Sequence, residues 1–245
     1  MGECKGQGSV ITVALIGADG SGKTTLSKRL ALALPLPVKY VYMGVNSYSS
    51  NLLLPTTRLW RRILRARGVK PRFSGPPDPD RVKPYPKNPV KRVILGVKSG
   101  LGLANRIAEE WFRQGLVWFY QSRGYVVLLD RHFFFDCYAH EIKKNGTNLP
   151  LTKRMHGFLL EHFYPRPDLV ICLDAPAEVL FQRKQEGTLE LRARRRQEYL
   201  QLSSTVKHFT IVDVTQPEDE VAHLVVDLIC DFYQRKTGKL HKAEI

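Results

Sequence analysis

No run of apolar residues in this 245-residue chain approaches the roughly 18 needed for a membrane-crossing helix. The N-terminus also lacks a basic start leading into a long apolar stretch, as a secretory leader would have, so the expected location is cytoplasmic. Its opening, Met1-Gly-Glu-Cys-Lys-Gly6, falls short of an acylation signal because Gly6 stands where Ser or Thr is required. Cysteine is scarce. The four at positions 4, 137, 172 and 230 have neither metal-ligand spacing nor a paired framework, and are expected to be structural, with Cys172 inside an apolar run. There is no internal repeat and no aromatic-rich nucleic-acid module.

Acidic residues are outnumbered, 23 against 38 Lys and Arg, which leaves a formal net charge of +15. The imbalance is local. Residues 58–98 hold 13 Lys or Arg against Asp78 and Asp80, a surplus of +11. Such a surplus either marks an anionic partner, a nucleic acid or a membrane surface among them, or is simply a solvated basic face. The length suits one domain spanning 1–245 with an insertion.

Apolar runs at 11–16, 38–42, 125–129, 169–173 and 209–214 are short and rich in β-branched and aromatic residues. Helix-compatible segments separate most of them, a pattern that predicts an α/β fold with a parallel sheet covered by helices on both faces. In such sheets ligands bind at the carboxyl ends of the strands, where Gly17, Asp130 and Asp174 fall in this chain.

Directly after the first run stands Gly17-Ala18-Asp19-Gly20-Ser21-Gly22-Lys23-Thr24, the pattern of a phosphate-binding loop between strand and helix. Its glycines let backbone N–H groups turn inward around a phosphate, and the following helix adds its positive end. Lys23 then reaches the outer phosphates and Thr24 holds Mg²⁺, so nucleoside triphosphate binding is expected. The third run ends in Asp130-Arg131, a carboxylate suited to Mg²⁺ beside a guanidinium suited to a phosphoryl group. Alternatively the pair is a turn with a local salt bridge. A third group, Arg183, Lys184, Arg192, Arg194, Arg195 and Arg196, fits a lid over residues 183–200 that stabilises charge during phosphoryl transfer. It also fits an exposed helix with a Glu190–Arg194 pair.

Residues 44–100 interrupt the alternation. Pro55, Pro71, Pro76, Pro77, Pro79, Pro84, Pro86 and Pro89 rule out one continuous helix, while residues 52–67 suit a basic amphipathic helix. Residues 90–122 read as a long helix, against the grain of Gly96, Gly100, Gly102 and Gly115.

Four segments, taken in order, resemble thymidylate kinases: the loop from Gly17 through Thr25, Asp130-Arg131-His132, the run from Arg166 through Val179 including Pro167-Asp168 and Leu173-Asp174, and Val212-Asp-Val-Thr-Gln-Pro-Glu218. The resemblance implies a three-layer P-loop NTPase fold on a five-stranded parallel sheet. It further implies transfer of the ATP γ-phosphate, with Mg²⁺, to a deoxynucleoside monophosphate such as dTMP. By the same resemblance Asp19 contacts the acceptor sugar, Arg131 and Arg106 its phosphate, and the loop after Val212 the adenine. Gly20 occupies the loop position that holds a catalytic arginine in some members, which assigns that role to the lid, with Arg183 and Arg192 as candidates. A homodimer is a further expectation. After the second strand the family carries an Arg-Glu-Pro-Gly-Gly-Thr-like segment, whereas this chain has Met43-Gly-Val-Asn-Ser-Tyr48. That departure leaves two other readings standing: the same chemistry on a sugar, nucleoside or lipid-linked glycan, or a non-catalytic ATP-dependent module that binds nucleic acid or membrane.

Overall fold

Unbroken runs of valine, isoleucine and leucine build the sheet. In the computed structural model, which describes residues 10–45, 52–68, 89–143 and 149–238, the strands are β1 (Thr12–Ile16), β2 (Val38–Tyr42), β3 (Val126–Asp130), β4 (Leu169–Asp174) and β5 (Phe209–Asp213). Their order is β2-β3-β1-β4-β5, and β1 pairs in parallel with both β3 and β4, as β4 does with β5. The expected five-stranded parallel α/β sheet is present. Residues 1–6 with Cys4, residues 46–48 of the altered segment and the basic, proline-rich stretch 69–88 lie outside the described residues.

Every residue of β1 and β3 is buried, as central parallel strands require. On one face Val13, Leu15, Leu128, Ile171 and Leu173 form a core with Leu26 and Leu30 of helix α1 (Lys23–Ala33) and Val221, Val225 and Ile229 of helix α8 (Glu218–Thr237). On the other, Ala14, Val127, Leu129, Val170 and Cys172 are equally shielded, so both faces are covered. Helix α8 begins with Glu218, Asp219 and Glu220 and ends with Arg235 and Lys236 before left-handed Gly238, charges that complement its dipole at both ends.

The remaining helices among the described residues are α2 (Pro55–Ala66), α3 (Pro89–Ser122), α4 (Phe133–Cys137) running into a π-helical turn (Tyr138–Ile142), α5 (Leu151–His162), α6 (Ala177–Arg183) and α7 (Leu189–Leu200), which ends in a 3-10 turn (Gln201–Ser204). The two helices expected at 52–67 and 90–122 are therefore α2 and α3. The described parts of Met1–Val41, Leu116–His132 and Arg166–Ile245 form one compact unit, and those of Tyr42–Gly115 and Phe133–Pro165 a second.

Within the second unit, α2 is tied to α3 by Leu54 N–H to Glu109 and Thr57 to Asn105, and α3 to α5 by Ser99 and Thr152. Helix α5 lies so close to the π-helical turn that a Cβ on Gly157 would stand 2.3 Å from the carbonyl oxygen of Glu141. A Cβ on Gly100 or Gly102 of α3 would meet nothing within 4 Å. These glycines weaken the helix without serving packing. Opposite outcomes follow in chemical denaturation. Gly100→Ala should stabilise by about 0.5–1 kcal/mol through helix propensity, whereas Gly157→Ala should destabilise by about 1–3 kcal/mol through overpacking. A loss at Gly100 or none at Gly157 would contradict this packing.

Candidate active site

The first unit places its polar side chains at the carboxyl end of β1 and β3. Between β1 and α1 the backbone turns through Gly17, Gly20 and Gly22, all at positive φ (141°, 94° and 80°). Space as well as torsion demands glycine at two of them: a Cβ would lie 2.4 Å from the Leu173 carbonyl oxygen at Gly17 and 2.3 Å from that of Leu180 at Gly20. Gly22 caps α1 without a side-chain acceptor, so no side chain caps the first-turn N–H groups of this helix. Lys23, almost wholly buried, folds back and donates to the Ala18 carbonyl (2.6 Å) and to Ser21 Oγ (3.2 Å).

Asp130 closes β3 beside Leu15 in the register and has no solvent exposure. Its Oδ2 accepts from Thr24 Oγ1 at 2.7 Å and from the Tyr40 hydroxyl at 2.8 Å, while its buried Oδ1 has no hydrogen-bond partner among the described residues. A hydroxyl beside a carboxylate with one uncommitted oxygen is a donor set that suits a hard divalent cation such as Mg²⁺.

Arg131 is the one non-glycine among the described residues at positive φ, 69°. Its N–H donates to the Leu15 carbonyl (3.0 Å) and its guanidinium binds Asp19. Burial pushes the Asp19 pKa up, but the charges of Arg131 and Lys23 reverse this and hold the carboxyl well below the usual carboxylate range. Arg192 reaches the same carboxylate, Nη1 standing 3.8 Å from Asp19 Oδ2. Its Nη2 donates to the carbonyls of Lys184 and Glu186 (3.0 and 2.9 Å), bracing the turn between α6 and α7.

The arginine run thus sorts itself by partner. Arg196 makes a two-toothed pair with Asp174 (2.8 and 2.7 Å), and Arg194 and Arg195 pair with Glu198, whereas the alternative exposed-helix reading offered Glu190 as the partner of Arg194. Arg183 donates to the Val214 carbonyl (2.9 Å) and lines a cavity of about 280 Å³ with Gly20, Thr25 and Gln216. A larger cavity, about 630 Å³, lies at the amino ends of β4 and β5, by Asp168 and His208, away from the loop. The loop end is the candidate site, because among the described residues glycine turns, a lysine and the uncommitted carboxylate oxygen meet there.

No protein-family model matches the chain. A thymidylate kinase of Xylella fastidiosa (strain Temecula1) is 27% identical over 236 residues, covering 93% of this chain and 94% of that protein. Its counterpart in strain M23 gives the same identity over 90% of its length. The solved structure of a thymidylate kinase from Candida albicans superposes with a TM-score of 0.58 at 20% identity, covering 90% of this chain and 91% of that one. This chain is thymidylate-kinase-like. The sequence likeness runs along nearly the whole of both chains, and the superposition places this chain on the same α/β fold.

In the second unit of this thymidylate-kinase-like chain, Arg106 lies among acids. Its guanidinium pairs with Glu110 and Glu141 (3.2 Å each) and donates to Cys137 Sγ at 2.9 Å, while His156 lies between Glu141 and Glu110. Burial raises the Cys137 pKa well above its ordinary value, which favours the neutral thiol, and its sulfur lies within 4.8 Å of ligand atoms of Glu141 and His156, a grouping the cysteine spacing did not announce. Arg113, 1% exposed, donates to the Gly44 carbonyl (3.0 Å) and faces the Phe133 ring. The sequence reading missed Tyr40, Arg113 and the Glu110–Glu141–His156 cluster. A signal existed for part of it, since Arg106/Glu110 and Glu109/Arg113 are both spaced i, i+4 on one helix.

Burial lowers the His156 pKa, but the hydrogen bonds of Glu110 and Glu141 outweigh it and the net shift is upward. A raised folded pKa contributes stability that is complete below the unfolded value near 6.5 and disappears as pH climbs through the folded one. The unfolding temperature should therefore fall as pH rises above about 6.5 in the wild type, and this dependence should flatten in His156→Gln. Equal slopes for the two proteins would refute the charged histidine.

Proposed function

We propose that the chain transfers the ATP γ-phosphate, with Mg²⁺, to a nucleoside monophosphate such as dTMP. The observation that carries this reading is the uncommitted, buried Oδ1 of Asp130 beside Thr24 and the glycine loop, in a chain related to thymidylate kinases over 93% of its length. Loop residues from Gly17 to Thr25 surround the ATP phosphates, and Lys23 exchanges Ala18 and Ser21 for their oxygens. Thr24 and Asp130 hold the metal, which supplies charge neutralisation on the phosphates when bound. Arg192, already at Asp19, supplies positive charge to the migrating phosphoryl group from the lid of residues 183–200, since Gly20 has no side chain to do so. Arg183 borders the adenine side, near Val214.

For the acceptor, Arg131 and Asp19 exchange their mutual pair for the incoming phosphate and sugar hydroxyl. Arg106 is the second phosphate-binding candidate, its plane fixed by Glu110 and Glu141. A cytoplasmic location and a homodimer belong to the same reading. A redirected acceptor, such as a sugar, nucleoside or lipid-linked glycan, is favoured by one observation: Met43-Gly44-Val45 replaces the family's segment, and Gly44 is engaged by Arg113.

The test is ADP formation with Mg²⁺ across nucleoside monophosphates, nucleosides and sugars. Turnover with dTMP or another monophosphate is expected, and Lys23→Ala should lower it by about 10²–10³-fold, as loss of one positioned charge in a transition state does. Wild-type rates in Lys23→Ala would overturn the mechanism, and turnover only with sugars or nucleosides would overturn the acceptor. Among the arginines, Arg192→Ala should lower kcat by about tenfold or more, and Arg196→Ala should chiefly lower thermal stability by freeing Asp174.

A further inference from the structure

Helix α2 and the first half of α3, both in the second unit, carry an exposed surface to which the proposed reaction assigns no residue. On α2 the exposed arc is divided: Arg58, Arg62 and Arg65 form one side and Leu59 and Ile63 the other, with Leu59 60% exposed. Along the first turns of α3, Val90, Ile94, Val97 and Leu101 recur at i, i+4, i+7 and i+11, with 64, 48, 57 and 67% of their surface in water. That spacing aligns them on one side of the helix. Lys98 is exposed as well, and neither residues 52–68 nor 89–108 contain a single Asp or Glu.

We propose that these basic, aliphatic faces of α2 and the first half of α3 dock the protein on an anionic lipid bilayer surface. The charge selects the partner. A face whose described residues include cations and no acid is complementary to phosphate headgroups, and aliphatic side chains beside the cations enter the boundary between headgroups and acyl chains. A second copy of this chain is disfavoured, because a two-fold contact would set Arg58, Arg62 and Arg65 against like charges. Nucleic acid would satisfy the cations but has no use for exposed valine, isoleucine and leucine, since base recognition needs stacking or polar edges. The docking is peripheral. Among the described residues no helix is long and apolar enough to cross a membrane.

The experiment is co-sedimentation of the full chain with vesicles of pure phosphatidylcholine and of phosphatidylcholine with phosphatidylglycerol, at low and high salt. It uses no nucleotide, so its result is separate from that of phosphoryl transfer. Binding to the anionic vesicles should exceed binding to the neutral ones, and should fall on the order of tenfold with salt. Arg58→Gln/Arg62→Gln/Arg65→Gln should weaken it by on the order of tenfold or more, and Val97→Asp should weaken it as well. A double variant in the first unit, Lys207→Gln/Arg235→Gln, should leave it unchanged. Circular dichroism and thermal unfolding of each variant, with two separate faces substituted, distinguish lost docking from lost folding. Three results would overturn the proposal: no preference for anionic vesicles, equal binding by the face variants, or a dimer in sedimentation velocity that Val97→Asp dissociates while vesicle binding is absent.

Discussion

A carboxylate with one oxygen bonded twice and the other without a hydrogen-bond partner among the described residues governs the first unit. Asp130 is buried at the end of an inner strand, where a carboxyl oxygen lacking a partner is costly. Folding places it there because β3 pairs with β1 in a register that sets Asp130 beside Leu15, two residues before Gly17. Neither neighbour can relieve it. Thr24 is the second residue of α1, and Tyr40 comes from β2, so both hold Oδ2 from fixed elements and leave Oδ1 as it is. In the proposed reading a cation would remove this deficit, and the close approach of Gly17 to Leu173 and of Gly20 to Leu180 fixes the loop against the same strand ends.

The two units manage charge differently. Around the loop, Asp19 is shared by Arg131 and Arg192, so a phosphate bound as proposed would compete with one carboxylate for two guanidinium groups. Such a pair keeps the arginines positioned without a ligand. In the second unit, Arg106, Glu110, Glu141 and His156 neutralise one another within a buried cluster, and the hydrogen bond of His156 with the acids outweighs desolvation. Breaking one member would strand the others, so that cluster is a constraint on structure.

Much of this was legible in the sequence, for reasons that differ by element. Central strands buried on both faces must be continuously apolar, and β1, β3 and β4 lie within a residue of the runs that predicted them. The phosphate loop was legible because its glycines are required by torsion and contact, which makes the spacing rigid. Helix α3 was recognised despite its glycines, and their lack of neighbours explains why they could be tolerated. Tyr40 was not legible: on β2 it is one aromatic among alternating residues, and only strand order places its hydroxyl on Asp130. Nor could the arginine run be resolved by composition. Arg192 and Arg196 are one helical turn apart, yet one faces Asp19 and the other Asp174.

That division of the arginines bears on how a lid can work here. A cation recruited from solvent would have to be ordered during each cycle, at an entropic cost for a long side chain. Arg192 is already ordered, buried and bonded to the carbonyls of Lys184 and Glu186, so its position follows the turn between α6 and α7 rather than its own rotamer. Arg196 anchors the same helix to Asp174 at the end of β4, which ties α7 to the sheet that carries the loop. Movement of the turn therefore carries the Arg192 guanidinium with it, and the anchor limits how far it can travel. Preorganisation of this kind is what a site without an arginine at Gly20 requires of its lid.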